Sequence, residues 1–598
     1  MSRPGDFDET VVLPTSAPGD PNATVVLPGT PPPAQERFDE TVVLPASPVT
    51  AAEAPPAAPA PQPESGSVAR NSAVMAIGSI VSRITGLLRV AAIGGALGAT
   101  FVNDDYQIAI ALPNMMFELL VGGVLSSVIV PTLVRRRKHD PDAGQAYAQR
   151  LLSLAAIALG IATTLAVLAS PLITKLMAAS KSTPADKNLI THLAYLILPA
   201  LFFYGMAALC GALLNSRGHF AAPMFTPILN NIVVITTAVV FIVITAGDAV
   251  RPENISAAQL LTLGLGTTAG IVVQAAGLIP ALRKVGFRWK WRFDFRALGL
   301  GELGRLSAWM LLFVAVSQLG VIVVLKIAKE VGGEGSAGPT IYQNAFLVFM
   351  MAHGIVAVSV LTALLPRLSA AAADNRPQDL IKQLNNGLRL VCVVLVPITA
   401  AYLVLGRPIA VTLFNWGNFD HAAALRTAPV IALAGLGLVP YAIMQLQQFA
   451  FYALRDTRTP AVLNIPVVAL RVGLDLLFWG VLSATTVAAA MMGASSLSFV
   501  FGALISISLL RRRLGYLGLR RVASALAKLV GAAALAAVPT YLLVYGLTRL
   551  MGDDKLDSVV QLVLGGAVLV GLYYALALLF RVAEVRDLTR MVRARLGR

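Results

Sequence analysis

The stretch NSAVMAIGSIVSRITGLLRVAAIGGALGA, residues 71–99, decides the fold class. As a helix rising about 1.5 Å per residue it exceeds the ~30 Å of a bilayer's hydrocarbon core, so it can span a membrane. It also carries Arg83 and Arg89, which a span facing only lipid would exclude. The apolar density continues outward from this segment. Of 598 residues, 57% are hydrophobic and only 13% are charged, and the mean hydropathy is +0.74. So few charges would leave a soluble enzyme of this size without a hydrated surface, and lipid must be the main solvent.

From residue 70 onward, apolar runs of about 20 residues or more alternate with short polar breaks. They are expected at 72–98, 106–134, 148–175, 188–214, 221–246, 257–282, 302–329, 339–366, 383–406, 426–453, 461–482, 485–510, 522–548 and 557–581. Fourteen spans make an all-α polytopic membrane protein. One set of breaks is basic (Arg135–Lys138, Arg217, Arg283–Arg296, Arg455 and Arg458, Arg511–Arg521), whereas the alternate set is poor in arginine. With the basic set inside, both termini face the cytoplasm, which agrees with an even number of spans.

Weak repetition divides the spans. Span 2 ends SSVIVPTLVRR and span 8 ends VLTALLPRLS; LLNSRGHFAAP (213–223) returns in outline as YALRDTRTP (452–460). Both pairs lie about six spans apart, as in two related six-helix lobes with two helices appended. The expected units are a tail, 1–70; an N-lobe, 71–297; a C-lobe, 298–521; and the appended helices with a basic end, 522–598.

Residues 1–70 hold nine acids against three arginines, a net of −6; the chain total of +16 leaves +22 for the remainder. Rich in Pro and Ala and without amphipathic period, this part reads as a disordered tail. It lacks the layout of a cleaved signal peptide, so it is expected to stay attached in the cytoplasm. FDETVVLP occurs at 7–14 and 38–45, with a degenerate copy PNATVVLP at 21–28. Each copy sets a threonine (Thr10, Thr41 or Thr24) three residues before Leu, resembling bacterial Ser/Thr kinase substrates read by forkhead-associated domains. A sticky, β-prone linker is the bland alternative.

Charges inside spans are where function is sought, because each costs about 2.5–3.5 kcal/mol at a helix centre. At 100° per residue Ser82, Thr85 and Arg89 form one stripe, with Arg83 about 120° round from Arg89. Two permanent, planar cations suit phosphate or pyrophosphate; the alternative is pairing with Glu118 of span 2, which leaves one positive charge over. In span 2, Asn114, Glu118, Gly122 and Ser126 recur every four residues, a seam fit for helix packing or for a wet cleft. Asp104 and Asp105, just before it, read on composition as a solvated outer loop. Arg471 and Asp475, four apart on span 11, are expected chiefly to neutralise each other as a C-lobe polar or ion site. Gln318, Gln343, Asn344, His353, Gln445 and Gln448 fit either a polar cavity or hydrogen bonds between helices.

Other classes find no support. No Walker loop, no HExxH and no Ser/His/Asp series is present, so neither catalytic residues nor a cofactor is expected. Five His, with Cys210 and Cys392 in apolar runs, offer no metal scaffold. The basic charge lies between spans and not on a soluble stripe, which speaks for topology and against nucleic acid.

SRITGLLR (82–89), the Gly-rich run after it, Asp104, ALPN (111–114) and VPTL (130–133) resemble the opening of the MurJ/MviN family. The likeness extends through NSRGHFAAP (215–223), LTALLPRLS (361–369) and RDTRTP (455–460). Those proteins are flippases of lipid II, the polyprenyl-pyrophosphate-linked peptidoglycan precursor, within the multidrug/oligosaccharidyl-lipid/polysaccharide exporter superfamily. The resemblance implies two lobes around a central cavity, alternating access in the bacterial inner membrane, a groove for the lipid tail formed by helices 13 and 14, substrate arginines at Arg83 and Arg89, and an outer acid at Asp104. The chain departs from the pattern after LPN, where Phe117 and Glu118 replace arginines, around Leu347, where no basic residue occurs, and in SQLGVIVVLK (317–326), which lacks the acid of a sodium site. Export of another polyprenyl-linked glycan or a drug, or a non-transporting scaffold for wall synthesis, are the alternatives.

Overall fold

A computed structural model of the chain describes residues 65–118, 132–133, 136–137, 140–247, 250–298, 300–331 and 338–586. The first lobe is built from α1 (Ser65–Leu97), α2 (Phe101–Phe117), α3 (Gln145–Leu168), α4 (Ser170–Met177), α5 (Pro184–Ile197), α6 (Ala200–Ser216), α7 (Ala221–Thr245), α8 (Ala257–Ala276) and α9 (Ile279–Lys284). An extended linker and a short 3-10 turn, Phe295–Leu298, lead to α10 (Leu300–Val331), α11 (Gly338–Ala373), α12 (Pro377–Phe414), α13 (His421–Ala453), α14 (Arg458–Val481) and α15 (Ala484–Leu514). Helices α16 (Arg520–Met551) and α17 (Lys555–Leu579) follow.

Among the described residues thirteen helical segments are long and apolar enough to cross a membrane, and they coincide with expected spans 1 and 3–14. Span 2 opens as α2 and enters 119–131, which lies outside the described residues together with Gly122, Ser126 and the tail threonines Thr10, Thr24 and Thr41. Spans 3, 4 and 6 are each two helices in tandem. Pro199 sits at the break in span 4 and Pro171 in the first turn of α4, where a missing N–H costs nothing.

The packing repeats with the period that the motifs suggested. In the first lobe α1 lies on α7, α7 on α8, α8 on α5 and α6, α6 on α3, and α2 on α5. In the second, α10 lies on α14, α14 on α15, α15 on α13, α13 on α12, and α11 on α13. This is the same order displaced by six spans. Helices α16 and α17 pair with each other and dock on α12. Wide outward faces stay apolar and exposed, such as Leu168, Val243, Val481 and Leu564, as lipid solvation requires.

Candidate functional site

Helix α1 lies against both lobes. Its Ser82–Thr85 edge faces α7, where the Asn231 amide donates to the Ser82 carbonyl (3.2 Å) and to the Thr85 hydroxyl (2.9 Å). Arg83 leaves toward the second lobe. Its Nη1 donates to the Met350 carbonyl of α11 at a long 3.5 Å, and its guanidinium occupies the space that a side chain at Gly354 would take. Arg89 lies within electrostatic reach of Tyr106 and Tyr204 in the first lobe. The two arginines therefore face different walls. Both are half-buried, and among the described residues neither forms an ion pair with a carboxylate.

The wall opposite Arg83 is aromatic and polar. Tyr342, Phe346, Phe349 and His353 stack along one face of α11, with centroids 6.0–6.5 Å apart. His353 Nε2 meets Gln445 Oε1 at 2.8 Å, and its ring lies 4.6 Å from that of Tyr441. Glu118 accepts from Gln318 of α10 at 2.5 Å and pairs with no arginine among the described residues. It and Asn114 are exposed on α2. Arg471 donates to the Tyr342 hydroxyl at 2.7 Å and reaches Asp475 only at 3.9 Å. The expected mutual neutralisation of Arg471 and Asp475 is thus stretched, and Asp475 is fully buried with no hydrogen-bond partner among the described residues.

At the end of the bundle where α1 finishes, the lobes close on each other. The composition reading of Asp104 and Asp105 as a solvated loop is corrected here: both are 0% exposed. Thr100 caps α2, which places both acids in its first two turns, aimed across the lobe boundary. Asp104 accepts from the Thr340 N–H (3.0 Å) and hydroxyl (2.7 Å) at the start of α11, a helix end whose free N–H groups favour an anion. Asp105 pairs with the buried Lys329 at 2.8 Å. Beside them Asn418 N–H donates to the Gly95 carbonyl (2.8 Å), and the Asn418 amide donates to that of Ala96 (2.9 Å). Gly95 and Gly98 permit this approach because a Cβ on either would press on the backbone of Trp416 or Asn418.

Sequence reasoning missed Gly354, Tyr342, Asn418 and Asn231. A lone glycine in an otherwise bulky span 8 and the Gly-Asn pair in NWGNFDH were the available signals. Among the described residues no group of three or more His, Cys, Asp and Glu could hold a metal.

Two helical lobes of matching topology, sealed at one end by polar contacts and holding at their interface cations that form no ion pair among the described residues, define a two-lobed polytopic transporter fold. The sequence profile of lipid II flippase MurJ matches residues 93–551, and the chain belongs to that family. A probable lipid II flippase MurJ of Synechocystis sp. is 28% identical over 477 residues, 79% of this chain and 87% of the relative. Lipid II flippase MurJ of Burkholderia cenocepacia is 27% identical over 395 residues, 65% and 74% of the two chains. Among solved structures, lipid II flippase MurJ in an inward closed conformation superposes with a TM-score of 0.65 at 20% identity, covering 86% of this chain and 99% of that one. An inward-facing multidrug resistance MATE family transporter of the MOP superfamily gives 0.57 at 14%, covering 73% and 96%.

Proposed function

We propose that this protein moves lipid II, the polyprenyl-pyrophosphate-linked peptidoglycan precursor, from the cytoplasmic to the outer leaflet of the bacterial inner membrane by alternating access. Membership of the lipid II flippase MurJ family supports the substrate. The observation that carries the reading is a pair of half-buried guanidinium groups at the lobe interface, Arg83 and Arg89, with no carboxylate paired to them among the described residues. Permanent cations in a low-dielectric body are costly, and a pyrophosphate offsets that cost while it is bound.

In this reading the basic loops and both termini are cytoplasmic, and the seal formed by Asp104, Asp105 and Asn418 is the outer gate. The pyrophosphate enters from the cytoplasmic side and engages Arg83 and Arg89, with Asn114 and Glu118 on the cleft wall and the Arg471–Asp475 pair behind it. The lobes, 71–297 and 298–521, then rock about the interface while the tail stays in lipid alongside 522–598. Arg83→Ala and Arg89→Ala are expected to lose complementation of a flippase-depleted strain, and lipid II translocation in vesicles, while the folded protein persists. Wild-type growth with either variant overturns the assignment. Pyrophosphate-independent export of a drug by the purified chain would select the alternative exporter reading.

The tail is read as a docking segment: Thr10, Thr24 and Thr41 are proposed sites of a Ser/Thr kinase, bound once phosphorylated by a forkhead-associated domain. Phosphopeptides that capture no partner beyond those of the unmodified tail would end this proposal.

A further inference from the structure

Three carboxylates and one ammonium meet where the lobes close on each other. Asp104 and Asp105 stand in the first two turns of α2, Asp186 in the first turn of α5, and Lys329 in the last turn of α10. Asp104 and Asp105 are fully buried, and Lys329 and Asp186 are 4% and 7% exposed. All three acids act electrostatically on the one ammonium. The other elements packed on α2 bring no second cation to this end. Helix α11 presents Thr340, and α6 presents Tyr204, which lies by Tyr106. Helix α1 carries Arg89 about two turns deeper than its Gly95–Ala96 contact, beside the same two tyrosines. Glu330, next to Lys329, adds a fourth acid but turns to the Ser180 N–H and hydroxyl.

The donors around these acids do not cover their charge. Asp105 meets Lys329 through Oδ1 at 2.8 Å. Asp186 accepts from the Thr183 N–H at 2.8 Å within the cap of α5. Asp104 Oδ1 takes both bonds from Thr340. Asp104 Oδ2 and Asp105 Oδ2 remain buried with no hydrogen-bond donor among the described residues. If all three acids around Lys329 were ionised, the sealed set would hold two negative charges in excess. Carboxylates crowded into one water-excluded site favour protonation of one of them. When the lobes part, water reaches the same groups and screens the excess.

We propose that closure of this end takes up one proton, held by the Asp104–Asp105–Asp186 set at its two free oxygens, so that the seal tightens as pH falls and loosens as pH rises. The sign follows from linkage: the closed state binds more protons than the open one, and for one proton the closed-to-open ratio changes by at most about tenfold per pH unit. Because the acids interact, the proton belongs to the set and not to a single residue. On the orientation proposed above this end faces outward, so the seal reads the pH of the outer side. Only that assignment of side rests on the functional reading.

The test uses the purified full chain and no lipid II, so its failure is separate from failure of the flippase assignment. A protonated carboxyl has an infrared carbonyl stretch that a carboxylate lacks. Between about pH 5 and pH 8 this band is expected to titrate in the wild type and to be lost in Asp104→Asn, whose amide oxygen can still accept from Thr340. Asp186→Asn, which removes one charge from the set without touching Thr340, is the second variant and should act alike. Closure is read as the distance between spin labels on Lys181→Cys and Ser483→Cys, exposed positions on the two lobes, with Cys210 and Cys392 replaced by Ser. The background is Gly98→Ala, whose added Cβ stands 2.7 Å from the Asn418 carbonyl oxygen and weakens the seal without touching the acids. The closed-to-open ratio should fall by up to about tenfold per pH unit as pH rises, and by less than about twofold once Asp104→Asn or Asp186→Asn is added. His421→Gln, which removes the histidine bonded to Asp553 just beyond the 415–419 turn, should leave the slope unchanged. A carboxyl band that survives both Asn variants, a ratio that ignores pH while the acids are intact, or a slope lost with His421→Gln would overturn the proposal.

Discussion

Gly98→Ala is expected to unlock the proposed outer gate. Gly98 has φ +71°, and a Cβ there would stand 2.7 Å from the Asn418 carbonyl oxygen and 3.1 Å from Asn418 Cβ. The first of these is backbone and cannot swing away, so α1 and the 415–419 turn must separate. Separation breaks the Asn418 N–H bond to Gly95 (2.8 Å) and the Asn418 amide bond to Ala96 (2.9 Å). At about 1 kcal/mol net per bond, the sealed state loses ~2 kcal/mol relative to the open one. The left-handed strain of an alanine, ~1 kcal/mol, falls on both states and cancels from their ratio. A factor of ten per ~1.4 kcal/mol gives a population shift of about 30-fold. The assay is the labelling rate of Ala96→Cys, a position 3% exposed, by a membrane-impermeant maleimide after Cys210 and Cys392 are replaced by Ser. Gly218→Ala is the control, with φ +78° and nothing within 4 Å of its added Cβ, so it suffers the strain without the collision. Labelling that rises equally in both variants, or in neither, refutes the reasoning.

Thr340→Val should remove the hydroxyl bond to Asp104 (2.7 Å) while sparing the N–H bond, costing the seal about 1.5–3 kcal/mol because the acceptor is charged; the same labelling assay and a thermal melt check it. Lys329→Met leaves Asp105 buried without its partner at 2.8 Å and should cost about 3–5 kcal/mol, read as a large drop in melting temperature that Asp105→Asn on the same chain partly restores. Gly354→Val should drive the Arg83 guanidinium off the Met350 carbonyl and slow lipid II translocation at least tenfold with little change in melting temperature, since the displaced group is the end of a flexible side chain. Partial burial alone would raise the Asp456 carboxyl, but bonds from the Thr459 N–H (2.9 Å) and hydroxyl (2.7 Å), together with Arg513, hold it below its ordinary value. Its stabilisation is therefore present above the ordinary carboxylate range and lost as pH falls through the depressed value. Asp456→Asn should flatten the acid limb of a melting-temperature profile.

The spans were legible because lipid imposes one simple rule, a long apolar helix. The repeat was legible for a different reason: 213–223 and 452–460 are helix ends whose turn chemistry survives when apolar residues drift. Side-chain partners were not legible. Asp104 and Asp105 look like surface acids in any window of sequence, and only the approach of α11 and Lys329, more than 200 residues away, buries them. Glu118 offered two arginines nearby in sequence and chose Gln318, because a partner across a lobe boundary is fixed by tertiary packing and not by spacing.

The same boundary explains how a rigid pair of lobes can switch. Most of the apolar cores keep to one side of the lobe boundary: Leu133 with Leu282 and Phe287, Ile93 with Tyr106 and Phe241, and Val391 with Phe451, the last extending onto Leu529 of α16; one, around Leu325, reaches Ile108 and Leu112 of α2. Hydrophobic burial therefore contributes to each lobe in every conformation and does little to choose between conformations. What crosses at the seal is largely polar and countable: Asp104 with Thr340, Asp105 with Lys329, Ser180 with Glu330, Asn418 with Gly95 and Ala96. Polar contacts of about 1–3 kcal/mol each sum to several kcal/mol, enough to hold one end shut. A ligand inverts such an equilibrium only by binding the other state more tightly by a similar amount, ~5.5 kcal/mol for a complete reversal. Two guanidinium groups that each form charge-assisted bonds to a pyrophosphate fall in that range when the site excludes water. For that reason the walls that Arg83 and Arg89 face, one in each lobe, matter more than their number: an anion held between them couples to the relative position of the lobes, whereas one held by two arginines on the same wall would not.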